Sequence, residues 1–220
     1  MKGPVIERLT RDHVLPVLPG FVARRSLVYR RPIDYFLYGL SFDTSSFASA
    51  RLFVHAFIQP LYAPVDGVVY TYGFRLGEGD FWDVDEQVPD RTFAAIALAA
   101  EREALPFFDK MTGLDRFCEL VPKWVRERPK HLLSAHSLDD PVITEDLGYT
   151  EILRGRKDDG VRLLEATIAS EREAGEDASD ERIAHSQQIL EAVSNLGLEG
   201  AQALLEQWRA ETIRNLRLEE

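Results

Sequence analysis

Two segments constrain this chain more than any other: residues 35–42, from Tyr35, Phe36 and Leu37 to Phe42, and residues 52–58, from Leu52 and Phe53 to Ile58, are apolar at nearly every position. A strand carries apolar side chains on both faces only when both faces are covered, so the two segments are read as central strands. The link between them is short and polar. It leaves no room for a crossover helix, and neighbouring strands should therefore run antiparallel. Upstream, residues 21–29 (Phe21, Val22, Leu27, Val28, Tyr29) read as a strand at or near an edge, ended by Arg31-Pro32. Downstream, the turn signal Pro64-Val65-Asp66-Gly67 precedes an alternation that puts Val68, Tyr70, Tyr72 and Phe74 on one face of a fourth strand. The expectation is a four-stranded antiparallel meander.

Helical spacing frames this sheet on both sides. Ile6, Leu9, Val14 and Leu18 gather on one side of a short opening helix that Pro16, Pro19 and Gly20 stop. From Asp90 onward Phe93, Ile96, Ala97, Ala100, Ala104 and Phe107 recur every three or four residues, with Pro106 bending or ending the helix. A second helix carries Leu114, Phe117, Cys118 and Val121 toward the core before Pro122. After Asp140 three or four amphipathic helices are expected, broken at Gly155, at Asp158-Asp159-Gly160, at Gly175-Glu176-Asp177 and at Gly197. The fold class is thus α+β: a sheet domain with packed helices over residues 1–138, followed by an all-α helical extension over 139–220.

Composition narrows the setting. With 220 residues, 45% of them apolar, the chain can fill a real core. Its net charge of −11 repels a phosphate backbone, and generic nucleic-acid binding is disfavoured. The basic residues Lys2, Arg8, Arg11, Arg24, Arg25, Arg30 and Arg31 cluster at the beginning, whereas Glu and Asp dominate from Glu78 onward, where a basic partner would be steered. Arg51, Gln59 and Asp66 interrupt the most hydrophobic region, so no run approaches the roughly 20 apolar residues of a membrane span. The charged N-terminus lacks a signal-peptide core, and the single Cys118 supplies neither an intramolecular disulfide nor a usual zinc site. A soluble, cytoplasmic protein without a cofactor is expected.

Few residues suggest chemistry. His55 shares a strand face with Phe53, Phe57 and Gln59, where an imidazole can serve as general base or ligand, although a hydrogen-bonded core histidine is the blander reading. His131, His136, Asp139 and Asp140 gather the ligand types of a divalent metal. The two histidines are five apart, about 140° around a helix, and a solvated helix terminus capped by Ser137 or Asp139 fits better. Gly73, Gly77 and Gly79 follow a strand but match neither the dinucleotide fingerprint nor a phosphate loop. Asp80, Asp83, Asp85 and Glu86, interleaved with Phe81 and Trp82, form an acidic loop that suits a cation or a basic partner, with solvated turn chemistry as the default reading. Trp208 in the last helical stripe is an interface hot spot or, in the blander reading, a core anchor. Arg24, Arg25, Arg30 and Arg31 flank the first strand as guards of a sheet edge.

Leu18-Pro19-Gly20-Phe21, then Arg24-Arg25 and Tyr29-Arg30, then strands ending in Tyr72-Gly73, then Ala104-Leu105-Pro106-Phe107-Phe108 follow in an order that resembles an uncharacterised bacterial family, a domain of unknown function. Its members open with a helix and an LGF-like turn before an antiparallel sheet. The resemblance implies the fold of the first half and a bacterial cytoplasmic setting, and it assigns no catalytic residue. The leading functional expectation is a non-enzymatic protein-binding module, such as an immunity or antitoxin-like protein or an accessory subunit of a bacterial toxin or defence system, with another, basic protein as partner. The alternatives are a metal-dependent hydrolase or nuclease-like enzyme using His55 or the histidine–aspartate group, and a self-associating structural subunit.

Overall fold

The two apolar segments pair as neighbours at the centre of the sheet. In the computed structural model, which describes residues 3–44, 51–77, 81–85, 87–127 and 137–218, they form β3 (Phe36–Thr44) and β4 (Arg51–Pro60), antiparallel in a register running from Phe36 opposite Pro60 to Thr44 opposite Leu52. β1 (Phe21–Arg24), β2 (Leu27–Arg30) and β5 (Tyr72–Arg75) complete a meander in the order β1-β2-β3-β4-β5, and β6 (Trp82–Asp83) pairs with the start of β4. The sheet therefore has six strands rather than four. The first expected strand is a hairpin, because Arg25 turns the chain with a φ of 55°. The acidic loop contributes β6. The fourth strand begins at Tyr72 rather than Val68, because the Gln59 side chain takes the backbone of the preceding residues: its Nε2 donates to the Gly67 carbonyl at 3.2 Å and its Oε1 accepts from the Val69 N–H at 3.0 Å.

The period of two decides what each face meets. Phe36, Tyr38, Leu40 and Phe42 of β3 with Leu52, Val54, Ala56 and Ile58 of β4 join the main core. There they meet α1 (Gly3–Leu9), α2 (Pro89–Ala99), α3 (Leu105–Lys110) and α4 (Leu114–Glu127), for example Phe36 on Phe117 with ring centres 4.7 Å apart. The opposite face carries Tyr29, Leu37 and Phe57, which Leu61, Ile213 and Leu218 cover. Between α2 and α3 the chain widens into a π-helical turn at Ala100–Ala104, just where Pro106 has no N–H to give the preceding turn. α4 does not stop before Pro122 but continues through it to Glu127.

The helical region comprises α5 (Pro141–Leu153), α6 (Lys157–Ala174) and α7 (Asp180–Asn215). Asp158, Asp159 and Gly160 do not break it. They lie in the first turn of α6, where acidic residues suit the positive end of the helix dipole. α5 and α6 approach closely at Gly148 and Gly160, where an added Cβ would lie 2.8 Å from Leu164 and 2.7 Å from Ile152. Gly197, with a φ of 74°, interrupts α7 and lets its second half turn onto the sheet. There Arg209 Nε donates to the Asp34 carbonyl at 2.8 Å and Thr212 Oγ1 to the Ala63 carbonyl at 3.2 Å. No helix among the described residues is long and apolar enough to cross a membrane.

Candidate functional site at an acidic cleft between sheet and helices

α5 has almost no solvent face. Ile143, Leu147, Tyr149 and Ile152 are buried on successive sides of it, so the adjacent acids Glu145 and Asp146 are buried too, 9% and 6% exposed. Each is held by a tyrosine. Tyr72 of β5 donates its hydroxyl to Asp146 Oδ2 at 2.8 Å, and Tyr149 donates to Glu145 Oε1 at 2.8 Å. Arg182 of α7 donates through Nε to Glu145 Oε2 at 3.2 Å, while its Nη1 is paired with Glu171 of α6. Glu171 Oε2 also accepts the Ser179 N–H at 2.7 Å, and Ser179 caps α7 by accepting from the Arg182 N–H.

The charges in this cluster do not balance. Glu145, Asp146 and Glu171 are all buried, and Arg182 is the one permanent cation among the described residues that line the adjoining cleft. Burial, then repulsion from Asp146, pushes the Glu145 carboxyl up to about 8. Burial pushes Asp146 up to about 7, against the lowering effects of the Tyr72 hydroxyl and Arg182. His185, one turn along α7 from Arg182, has its pKa lowered by burial, which favours the neutral imidazole. Buried carboxylates without counter-charge take up either a proton or a cation.

The cleft opens between α5, the start of α7 and the segment 61–71. Its inner lobe, about 320 Å³, is lined by Pro64, Val65, Val69, Val142, Glu145, Asp146, Arg182 and His185 among others. It shares Pro64, Val65, Val69, Glu181 and His185 with an outer lobe of about 500 Å³, where Asp66, Glu211 and Trp208 also stand. Glu181, Asp66 and Glu211 are exposed and give the opening an acidic rim. Trp208 is 7% exposed and packs edge-on against Tyr149, with His185 5.3 Å away. It is thus both core anchor and part of the cleft wall.

His55 meets the cleft only through Tyr70, the chain neighbour of Val69 in its wall. On the second face of the sheet its Nδ1 lies 3.1 Å from Asp43 Oδ2, and Tyr70, whose ring sits 4.9 Å from the imidazole, donates to Ser41 Oγ at 2.8 Å. With Gln59 this cluster fastens residues 67–70, so His55 and Asp43 hold the wall that carries Val69. His55 does not line the cleft. Its Nε2 is buried without a hydrogen bond.

The other expected site residues scatter. Asp140, not Ser137 or Asp139, caps α5, accepting the Val142 N–H through Oδ1 at 2.9 Å, and Asp139 is exposed in the turn before it. Asp80, Glu86, His131 and His136 lie outside the described residues, and among those described no group of three metal-ligating side chains comes together. Phe81, Trp82, Asp83 and Asp85 sit at the start of β4, away from the cleft lining: Arg51 lies 4.0 Å over the Phe81 ring and 3.5 Å from Asp83. Trp82 Nε1 donates to the Leu76 carbonyl at 3.0 Å, and Asp85 accepts from the Gln87 N–H. Burial pushes the Cys118 thiol up to about 12, leaving it an inert, half-buried side chain. Glu145, Asp146, Arg182 and His185 are not among the residues to which the sequence pattern points. The available signal was two consecutive acids in α5, whose sequence is otherwise largely apolar and lacks Lys and Arg.

No family model matches the chain, and neither the curated proteins nor the solved structures contain a match to it. The functional reading rests on the geometry of the cleft.

Proposed function

We propose that the protein is a non-enzymatic binding module, of the immunity, antitoxin-like or accessory-subunit kind, that receives a basic segment of another protein in the cleft between segment 61–71, α5 and α7. One observation carries this reading: two buried acids at the cleft floor, Glu145 and Asp146, face a single guanidinium, Arg182, which Glu171 shares. A basic side chain entering the cleft supplies the missing charge in a site where water is scarce and Coulomb attraction is strong. The exposed rim of Glu181, Glu211 and Asp66 extends the same potential outward and would speed encounter with a basic partner.

The test is a comparison of proteins captured from the native cells by the wild-type chain and by the double variant Glu181→Lys, Glu211→Lys, each confirmed as folded by circular dichroism. Both positions are exposed, so the fold should tolerate the change. A basic protein retained by the wild type at low salt, released as salt rises and lost from the variant is the expected result. Identical capture by the two chains would remove the cleft from the function.

A further inference from the structure

Resting on that reading, we infer that the group seated at the cleft floor is the ammonium of a lysine side chain from the partner, held by Asp146 and His185 and backed by Trp208. The choice between lysine and arginine follows from which acceptor atoms are left. A guanidinium is recognised best by a carboxylate offering both oxygens as a fork. Glu145 offers neither, since Tyr149 holds Oε1 and Arg182 holds Oε2. Asp146 keeps Oδ2 for Tyr72, and its Oδ1 finds no donor among the described residues, although the residue is 6% exposed and lines the cleft. One free carboxylate oxygen and one imidazole nitrogen suit a compact cation with three donors that can be aimed independently.

The surroundings fit the rest of such a side chain. Pro64, Val65 and Val69 provide an apolar wall for a four-carbon stem. In the outer lobe Trp208 adds an aromatic surface beside His185, one of the residues the two lobes share. Binding is also linked to protons, because an ammonium arriving at the carboxylates favours their ionised form. The charged and titratable groups facing them are Asp140 and Tyr149 on α5, Tyr62 and Tyr72 from the sheet side, Glu171 on α6, and Glu181, Arg182 and His185 on α7. Among these neighbours, burial holds the Glu145 and Asp146 carboxyls themselves up, at about 8 and about 7.

The experiment uses the full chain and terminally blocked nonapeptides of glycine and serine with one central lysine or one central arginine, titrated while NMR follows the side chains of Trp208 and His185. Spermidine serves as a free-amine control. At pH 8 the lysine peptide should bind at least about tenfold more tightly than the arginine peptide, and its affinity should fall about tenfold from pH 8 to pH 6 as Asp146 and Glu145 protonate. Asp146→Asn should abolish the lysine preference. His185→Gln, at a half-buried position, should reduce it and covers the case in which the first variant fails to fold. Equal affinity for lysine and arginine, or tighter binding of spermidine than of the lysine peptide, would overturn this inference while leaving the binding function in place. If neither peptide binds and the rim variant captures the same proteins as the wild type, both readings fall.

Discussion

Asp43 and Asp146 each accept a hydrogen bond from a tyrosine hydroxyl, Tyr70 at 3.1 Å and Tyr72 at 2.8 Å, yet their acidities move in opposite directions. The Asp43 side chain is 44% exposed and sits against His55, whose hydrogen bond holds its carboxyl below the ordinary value more strongly than burial raises it. Asp146 is 6% exposed, and burial outweighs both Tyr72 and Arg182. A tyrosine donor alone therefore does not set the charge of a carboxylate. Access to water and the count of nearby charges do. The second-face cluster balances its acid with His55 and Tyr70, and the cleft cluster sets two buried acids beside one shared guanidinium.

The sharpest way to break this contrast is to remove the cation of the cleft. Arg182→Leu leaves Glu145 and Glu171 buried without a counter-charge and should cost about 3–5 kcal/mol at pH 7.5 in urea unfolding, with partial recovery at pH 5.5 as the carboxyls take up protons. A loss below about 1 kcal/mol would mean that the cluster is hydrated and that its charge imbalance has no force.

Next in size is the pH dependence. A carboxyl with a raised folded pKa binds its proton more tightly in the folded state, so its stabilising contribution is fully present below the unfolded value near 4 and is lost as pH rises through about 7 to 8. Stability should decline across that window by several kcal/mol, and Asp146→Asn should flatten the decline and be the more stable chain at pH 8.5. For Asp43 the sign is reversed: its contribution is present above about pH 4 and is lost as pH falls through its lowered folded value. An Asp146→Asn profile parallel to that of the wild type would contradict the assignment.

Tyr70→Phe tests the second-face fastening and should cost about 1 kcal/mol, the usual worth of one hydrogen bond, while amide exchange quickens in segment 61–71. Exchange unchanged there would detach His55 and Asp43 from the cleft wall. The smallest effect belongs to the exposed Arg51–Asp83 pair: Asp83→Asn should shift stability by less than about 0.5 kcal/mol. A larger loss in that variant would give β6 a structural weight that its two residues do not suggest.

The contrast also explains which features could be read in advance. Strand patterns announce themselves locally, so β3 and β4 were legible from unbroken apolar runs and the helices after Asp90 from their spacing. The hairpin at Arg25 was not, because nothing in Ala23-Arg24-Arg25-Ser26 marks a residue that adopts positive φ. Asp140 stands beside two histidines in the sequence like a metal ligand, yet it caps a helix, since capping depends on where the first turn begins. His55 is visible in the sequence as an imidazole in an apolar strand, but its role depends on Asp43 and Tyr70, 12 and 15 positions away.

The α+β class, the antiparallel pairing and the helical second half follow from the period of apolar residues and the lengths of the links between them, and are therefore local properties of the chain. Only the tertiary structure decided the site. Glu145 meets Arg182 across 37 positions and Asp146 meets Tyr72 across 74, while α7 reaches the sheet through a turn at Gly197. Whether an acid is a solvated surface charge or a buried, hydrogen-bonded group is a property of what the fold packs around it, and no local pattern in the chain encodes that.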